Sequence, residues 1–525
     1  MSLAEKAAED FPDNLIKPRV SLLLTKISNV LTEQDIQSYV VGGFVRDVLL
    51  GRETADIDIA VEADAMEIAP KVATALGGKY VLLDKVNRVG RVVLVNKEAP
   101  SIRGQWELDF STVKGNIKQD LAQRDFTIDA MAVDLREIAI KPHPLTPSPL
   151  KKRGGVPAKP AMLIDPFNGW NDLHQQVIRA VAETAFESDG GRLLRGVRLA
   201  AELGFSIDND TEALIQRYSH LIAGVAGERV REELLRLLAI PRAEQLLPYL
   251  DKLGLLTAMI PELAQIKGVK QPKEHFWEVF DHSLKTVVAV DFLLRQGAWE
   301  YASEEVLAVA PWSAVLNRHF ELEVSSGSTR RLLLKLAALL HDIAKPQTKA
   351  IDASGRMRFL GHAKEGAPIA ASILERLRFT TKEIKLVEIM IRHHLRPVQM
   401  SHNELPSHRA IYRYFRDTGE AGIDILFLAL ADHLATRGPR LNLAHWRGHT
   451  QMTSYVLAQR FEQESLVAPP KLIDGHDLIN IFGISPGPKI AEFLEAVREA
   501  QASGELTTRE QALSYIHKHL SSKAE

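Results

Sequence analysis

Two patterns of different period meet in residues 41–61, VGGFVRDVLLGRETADIDIAV, and together they confine what the chain can build there. Ile57, Ile59 and Val61 alternate with Asp56, Asp58 and Ala60. A strand with this alternation buries its isoleucines and sets both carboxylates on the opposite face. The rise of a strand separates the two acids by about 7 Å, a natural cradle for a hard cation. Upstream, Gly42 and Gly43 follow the apolar run Tyr39 to Val41 and precede the helix-like FVRDVLLG. A strand, a turn and a helix in that order aim backbone N–H groups at an anion. Taken singly, the glycine pair reads first as a plain turn and the aspartates as a solvated strand face; together at this spacing they read as a phosphate site beside a metal site.

Composition serves mainly to exclude. A chain of 525 residues exceeds what one hydrophobic core organises, so three or more domains are expected. The 46% hydrophobic and 25% charged residues are those of an ordinary soluble protein. No apolar run reaches the roughly 18 residues of a membrane span, so no membrane partner is expected. Without cysteine there is no disulfide framework and no thiolate metal site. The acidic start, MSLAEKAAEDFPDNL, lacks the apolar stretch of a signal peptide, which makes the cytoplasm the expected compartment. A net charge of −2 neither suggests nor excludes a nucleic-acid partner.

Along the chain, DAMEIAPKVATALGG places Ile68, Val72 and Leu76 at helical spacing and ends on Gly77-Gly78, a C-cap signal. KYVLL, RVVLV and WELDF read as short strands, the first two joined by a polar turn at Asn87-Arg88. In the third, Trp106, Leu108 and Phe110 alternate with Glu107 and Asp109, so Asp109 can join Asp56 and Asp58 from a neighbouring strand. Three carboxylates around a metal pair suit phosphoryl transfer, in which one ion activates the attacking hydroxyl and the other neutralises the triphosphate. An exposed strand acid is the plain alternative for Asp109. Pro142 to Pro160, proline-rich with a Lys-Lys-Arg-Gly-Gly tip, reads as a flexible insertion between two strands. From Asp172 onward the pattern is largely helical. FESDGGRLLRGVRLAAELGF sets Arg192, Arg195 and Arg198 at three-residue intervals, an arginine stripe that either meets phosphate or base edges or is simply solvated; GERVREELLRLL is a further such helix.

A second constellation lies in the central third. RLLLKLAALLHDIAKP is apolar nearly all round, which implies a buried helix, yet it ends in His341-Asp342. A buried ion is costly unless paired or metal-bound. His282 in EVFDHSLKT and Asp432 in LFLALADHLA are candidate partners, with His362 and His393-His394 as further imidazoles. Mixed His/Asp ligation suits a divalent metal, and a hydrogen-bonded core network is the alternative. Asn317 to Arg330 is polar and reads as a loop; the C-terminal part is again helical, with a turn at Pro486 to Pro488 and a helix start at Thr507 to Glu510.

Five strings, in order, resemble the class II tRNA nucleotidyltransferase and bacterial poly(A) polymerase family: VGGFVRDVLLG with DIDIA, QRDFTIDAMA, LIDPFNGWNDL, SDGGRLLRGVRLAAELGF and ERVREELLRLL. The middle region resembles the HD metal-dependent phosphohydrolase module, and the tail resembles that of HD-bearing members. The resemblance implies a multidomain α+β chain: a polymerase-β-like head of a small mixed sheet plus helices at residues 1–175, with the insertion at 142–160. An all-α neck at 176–265, an HD domain at 266–450 and a helical tail at 451–525 would follow. It further implies Mg²⁺ held by Asp56 and Asp58, with Asp109 as the third acid that activates the RNA 3′ hydroxyl. Gly42, Gly43 and Arg46 would receive the triphosphate, and Arg124 and Asp125 would sit by the sugar. Asp189 and Arg192 would read the base, with Arg195 and Arg198 as further nucleotide-binding residues of the same helix. His282, His341, Asp342 and Asp432 fall on the HD ligand positions, for a second divalent metal. A carboxylate accepting from an exocyclic amine beside a guanidinium donating to a ring nitrogen or carbonyl presents an edge complementary to cytosine or adenine.

The sequence departs from the family pattern at Ser188, where Glu is usual, at Gly190-Gly191 in place of Pro-x, at Gln123 in place of Arg and at Asp129 in place of Asn. One absence bears on the product. Members that add all of CCA usually carry a flexible loop between the third acid and the second motif, and CC-adding members resemble them without it. Only Phe110 to Gln123 separates Asp109 from Arg124, so the expectation is a CC-adding enzyme that transfers CMP from CTP to the tRNA 3′ end and releases pyrophosphate. A separate A-adding enzyme would then complete the end with AMP from ATP. The alternatives are an A-adding or full CCA-adding enzyme, a poly(A) polymerase, an HD phosphohydrolase, and a tRNA-binding module with a decayed site; intact Asp56, Asp58, Asp189 and Arg192 argue against the last.

Overall fold

The computed structural model describes residues 18–95, 104–140, 159–241, 243–325, 327–400, 405–462 and 470–521. Most of the proline-rich insertion, including its basic tip, therefore lies outside the described residues. The chain packs as two units, Met1–Val225 and Ala226–Glu525.

The first unit is organised on a seven-stranded mixed sheet in the order β3-β4-β5-β2-β1-β6-β7. Its strands are β1 (Ser38–Val41), β2 (Asp56–Val61), β3 (Lys79–Asp84), β4 (Val89–Val95), β5 (Gln105–Thr112), β6 (Ala132–Asp134) and β7 (Leu163–Ile164). All neighbours are antiparallel except β2 and β5, which run parallel with Asp58 opposite Asp109 and Asp56 opposite Glu107. Alternation divides the sheet into two faces. Ile57, Ile59, Trp106, Leu108, Phe110 and Val92 are buried, and the Ala65–Leu76 helix packs across β4 and β5. The acids occupy the other face, which beyond them is closed by a cluster of Tyr39, Val41, Ala60, Val113, Ile117, Leu121, Ala130 and Ala132. The Ala65–Leu76 helix begins where the Asp64 side chain caps Met66 N–H and ends at Gly77 in the left-handed conformation, φ 68°, as its sequence signals.

One local expectation changes. The strand–turn–helix read at Gly42-Gly43 has no intervening turn: β1 runs directly into the Gly42–Leu49 helix, with Gly42 itself at φ 69° as the joint. A left-handed residue at the helix entrance makes the reversal that a turn would otherwise supply, and glycine adopts it without a Cβ penalty.

Among the described residues the second unit is helical, with two small hairpins, Glu323–Ser325 with Ser328–Thr329 and Lys349–Ile351 with Met357–Phe359. At its centre the Val279–Leu293, Arg330–Leu340 and Gly422–Arg437 helices pack on one another. Within this core Lys335 pairs with Asp291 at 2.5 Å and donates to the carbonyl of Leu238 at 2.6 Å, so a cation inside an apolar helix has an anion and a carbonyl beside it. The last three helices, Gly475–Phe482, Pro488–Ala502 and Arg509–Ser521, gather a core of their own around Ile473, Leu478, Phe493, Val497 and Ile516. No helix among the described residues is long and apolar enough to cross a membrane.

The loop expected at Asn317 to Arg330 is not one. An Ala314–Glu321 helix, capped by Ser313, is followed by the first hairpin, and Arg330 already opens the next helix. Polar composition misleads here because two residues at helical spacing, Leu316 and Phe320, carry the packing; Phe320 lies 4.8 Å from Phe427, centroid to centroid, in an edge-on contact and stacks on Trp312. Phe320→Ala is expected to lower unfolding free energy by about 3–5 kcal/mol in urea titrations, with the exposed Arg318→Ala within about 0.5 kcal/mol of the parent. Equal effects would show that this helix contributes little to the core.

Candidate active site

Register builds the site in the first unit. Because β2 and β5 pair in parallel, Asp58 and Asp109 stand side by side on one face, with Asp56 and Glu107 two residues along. Asp56 is exposed and Asp58 half-buried. Burial pushes the Asp58 carboxyl up to about 6, Arg124 opposes the rise and Asp109 adds to it. A carboxylate so disfavoured as an anion fits a cation site, since a bound cation relieves both desolvation and repulsion. The donor set is all oxygen, which suits Mg²⁺. Such an ion would supply charge to neutralise phosphate oxygens and lower the pKa of a bound hydroxyl.

Gly42 lies against this group. A Cβ built there would sit 2.5 Å from Arg124 Nη1 and 3.1 Å from Asp58 Oδ2, so the missing side chain is the space in which the two meet. From the helix that Gly42 opens, Arg46 donates to Asp129 at 2.7 Å and to Asp47 at 3.0 Å. Asp129 in turn lies 3.5 Å from Arg195, which pairs with Asp125 at 3.0 Å. The result is a ladder of alternating charge, Asp47, Arg46, Asp129, Arg195 and Asp125, that joins three separate stretches of chain. Asp125 and Asp129 are buried in it, and its carboxylates raise the pKa of Arg46 against the opposing effect of burial.

Asp189 and Arg192 flank the start of the Gly191–Leu203 helix, their side chains 4.0 Å apart. Asp189 accepts from Gly191 N–H at 3.0 Å, while Arg192 donates to the carbonyls of Gln123 at 2.8 Å and Ala185 at 3.1 Å. The bond to Gln123 brings this pair to the residue before Arg124. The arginine stripe is not uniform: Arg192 and Arg195 turn towards residues 123–129, whereas Arg198 is buried and pairs with Glu202 at 2.7 Å.

In the second unit the four residues expected to act together converge. His282 Nε2 lies 3.1 Å from Asp432 Oδ1, 3.2 Å from His341 Nε2 and 3.5 Å from Asp342 Oδ2, and His341 Nε2 is 3.2 Å from Asp342 Oδ2. His282, His341 and Asp342 are fully buried. Against the effect of burial, the facing imidazoles hold Asp342 and Asp432 well below the usual carboxylate range. Lys345 adds a charge at 2.6 Å from Asp342 Oδ2, steadied by Gln271 at 2.5 Å. Four inward donors, two imidazoles and two carboxylates, fit a divalent transition metal.

A family model described as "Poly A polymerase head domain" matches residues 38–179, one described as "Probable RNA and SrmB- binding site of polymerase A" matches 204–267, and one described as "HD domain" matches 303–437. The CC-adding tRNA nucleotidyltransferase of Thermus thermophilus is 31% identical over 91% of this chain and 93% of its own. The A-adding tRNA nucleotidyltransferase of Deinococcus radiodurans is likewise 31% identical, over 91% and 94%. The chain belongs to the tRNA nucleotidyltransferase family. Among solved structures, the Thermotoga maritima CCA-adding enzyme complexed with tRNA shares the fold with a TM-score of 0.56 at 21% identity, covering 99% of both chains.

Within this nucleotidyltransferase the structure adds residues to the site that the sequence reading passed over. Arg91 on β4 faces Asp109 across the sheet, donates to both its oxygens at 2.7 and 2.8 Å, and reaches Glu107 as well. Its position in RVVLV, opposite in phase to the buried Val92, was the available signal. Asp129, visible only as a departure from the family's usual Asn, turns out to link Arg46 to Arg195.

A raised carboxyl pKa means that Asp58 is protonated below about 6, so cation binding weakens as pH falls through that value. Calorimetric Mg²⁺ affinity of a nucleotidyltransferase with this site should be flat above pH 7 and drop about tenfold per pH unit below 6. Asp58→Asn should remove the pH dependence along with the binding. It should also raise thermal stability at pH 7.5, because the ionised carboxylate weakens the fold above its folded-state pKa. An affinity unchanged between pH 7 and 5 would show an Asp58 that stays ionised.

Proposed function

We propose that this tRNA nucleotidyltransferase adds CMP, not AMP, to the 3′ end of tRNA that lacks its CCA. Asp56 and Asp58 hold Mg²⁺, Asp109 orients and deprotonates the RNA 3′ hydroxyl, and pyrophosphate leaves from CTP. Gly42, Gly43 and Arg46 receive the triphosphate, Arg124 and Asp125 lie by the sugar, and Asp189 with Arg192 reads the base, with Arg195 fixing the ladder behind them. We assign Arg198 a packing role instead. The four-part division at 1–175, 176–265, 266–450 and 451–525 is part of the same proposal, as is a cytoplasmic location.

The observation that carries the CC reading is the link between the third acid and the second motif. From Asp109 the chain completes β5, turns at Val113 to Asn116 and enters the Ile117–Leu121 helix through a capping box of Asn116 and Gln119. Ile117 and Leu121 are buried in the cluster that closes the acid face, so this segment is part of the core and leaves no length for a loop over the nucleotide. The test is incorporation of labelled CTP and ATP by the full-length protein into tRNAs ending before the first C, after one C and after both. Two and one CMP on the first two substrates, and nothing on the third, are expected. ATP addition to the CC-ending tRNA would overturn the CC reading, and tailing of unrelated RNA would make the protein a poly(A) polymerase. Arg192→Ala should lower kcat/KM for CTP by about ten- to a hundredfold, the 1–3 kcal/mol of a paired base contact.

The buried His282, His341, Asp342 and Asp432 group supports a second reading in parallel: a divalent metal in the HD region with phosphohydrolase activity of its own. That activity would be lost in His341→Ala and kept in Asp56→Ala, the reverse of the pattern for CMP transfer.

A further inference from the structure

One cation of this chain already stands among the acids of the sheet. Arg91 lies on β4 directly opposite Asp109 on β5, and its Nε and Nη2 donate to the two oxygens of that carboxylate at 2.7 and 2.8 Å. Its Nη1 donates to Glu107 Oε2, one diagonal step along the same strand. On its other side Arg91 is opposite Val81 of β3, which offers no anion. Glu107 is steadied in turn, because Gln105 donates to its other oxygen, Oε1, at 3.0 Å. The side chains of Arg91, Asp109 and Glu107 are 29%, 23% and 23% exposed, so water and ions reach all three.

A guanidinium fork laid on a carboxylate takes an in-plane lone pair of each oxygen. Those are the lone pairs with which a carboxylate binds a hard cation. Asp58 stands beside Asp109 in the β2–β5 register, and neighbouring strands are about 4.8 Å apart, so an ion with bonds of about 2.1 Å is within reach of both carboxylates. Arg91 and such an ion therefore compete for Asp109. Arginine keeps its charge at any working pH, so the competition is settled by moving the guanidinium and not by moving a proton. Glu107 gives the guanidinium somewhere to go: Nη1 is already bonded there, and a swing about that bond releases Nε and Nη2 from Asp109 while one ion pair is kept.

We propose that Arg91 is a positioning residue for the transfer reaction: it holds Asp109 while no ion is bound, and falls back on Glu107 to hand Asp109 over as an ion binds beside Asp58. The inference rests on reading Asp56, Asp58 and Asp109 as the cation site, and adds the residue that governs its loading. Held by Arg91, the third acid keeps its place on the sheet without an ion. Handing it over costs the Arg91–Asp109 pair, so the empty site binds an ion more weakly than its carboxylates alone would. Triphosphate oxygens add ligands to the ion and tip the exchange, which ties loading of the site to arrival of the nucleotide.

Mg²⁺ binding to the full-length protein reads the exchange, measured by calorimetry at pH 7.5 as the heat that Asp58→Asn abolishes. Arg91→Gln should bind Mg²⁺ about tenfold more tightly than the parent, the scale of one unit charge removed from a few ångströms away at a partly solvated site. In an Asp109→Asn chain the same Arg91→Gln change should leave the affinity within about twofold, since nothing remains to be handed over. Thermal melting reports the folding of each variant. A residue that merely supports the sheet would lose affinity or leave it unchanged when replaced, and either result in a folded Arg91→Gln overturns the proposal. A tenfold gain that persists beside Asp109→Asn overturns it too, by making Arg91 a distant charge. Where Arg91→Gln does not fold, Glu107→Gln decides: without the fallback, Mg²⁺ binding should weaken several-fold, and unchanged or tighter binding counts against the exchange. No heat attributable to Asp58 in the parent would overturn the cation reading itself and this inference with it.

Discussion

The parallel pairing of β2 with β5 is the constraint on which the first unit turns. In an otherwise antiparallel sheet it requires a crossover, supplied by the Ala65–Leu76 helix and the β3–β4 hairpin, and this crossover covers the apolar face. The same pairing sets Asp58 against Asp109 with no loop involved. Slipping β2 by one residue would exchange Asp58 for Ile57 or Ile59 and leave Asp109 without its neighbouring acid. The isoleucines therefore hold the carboxylates in place: burying one set leaves the other only one way to point.

The two units handle charge in opposite ways. On the sheet, acids gather where backbone geometry puts them, and their mutual repulsion is left for arginines and a cation to relieve. In the helical unit imidazoles face carboxylates, His341 is aimed by a bond to the carbonyl of Ala338 one turn earlier, and the carboxylates are already stabilised as anions. The first arrangement suits a hard ion that comes and goes with a nucleotide; the second suits a softer ion held in place.

Much of this was legible in the sequence because it follows from period. The alternation in DIDIAV and WELDF located the acids, and the single His-Asp at the end of an apolar helix located the second cluster. What stayed hidden depends on partners remote in sequence. Arg91 looks like the polar start of a strand until β4 is laid on β5. Asp129 is one changed residue in a motif until Arg46 and Arg195 close on it. His393 and His394 cannot be told apart until the helix end is drawn. The segment from Asn317 was misread because a few buried side chains, Phe320 above all, outweigh a majority of polar ones.

The charge ladder carries three carboxylates against two guanidiniums, so taken alone it bears a net negative charge and draws no anion from a distance. An anionic group that reaches Arg46 exchanges with carboxylates that already hold its Nε, Nη1 and Nη2. Such an exchange conserves the number of ion pairs, and salt, which screens long-range attraction, has little to act on. Fit at hydrogen-bond range, rather than ionic strength, then governs what is accepted at this point of the molecule.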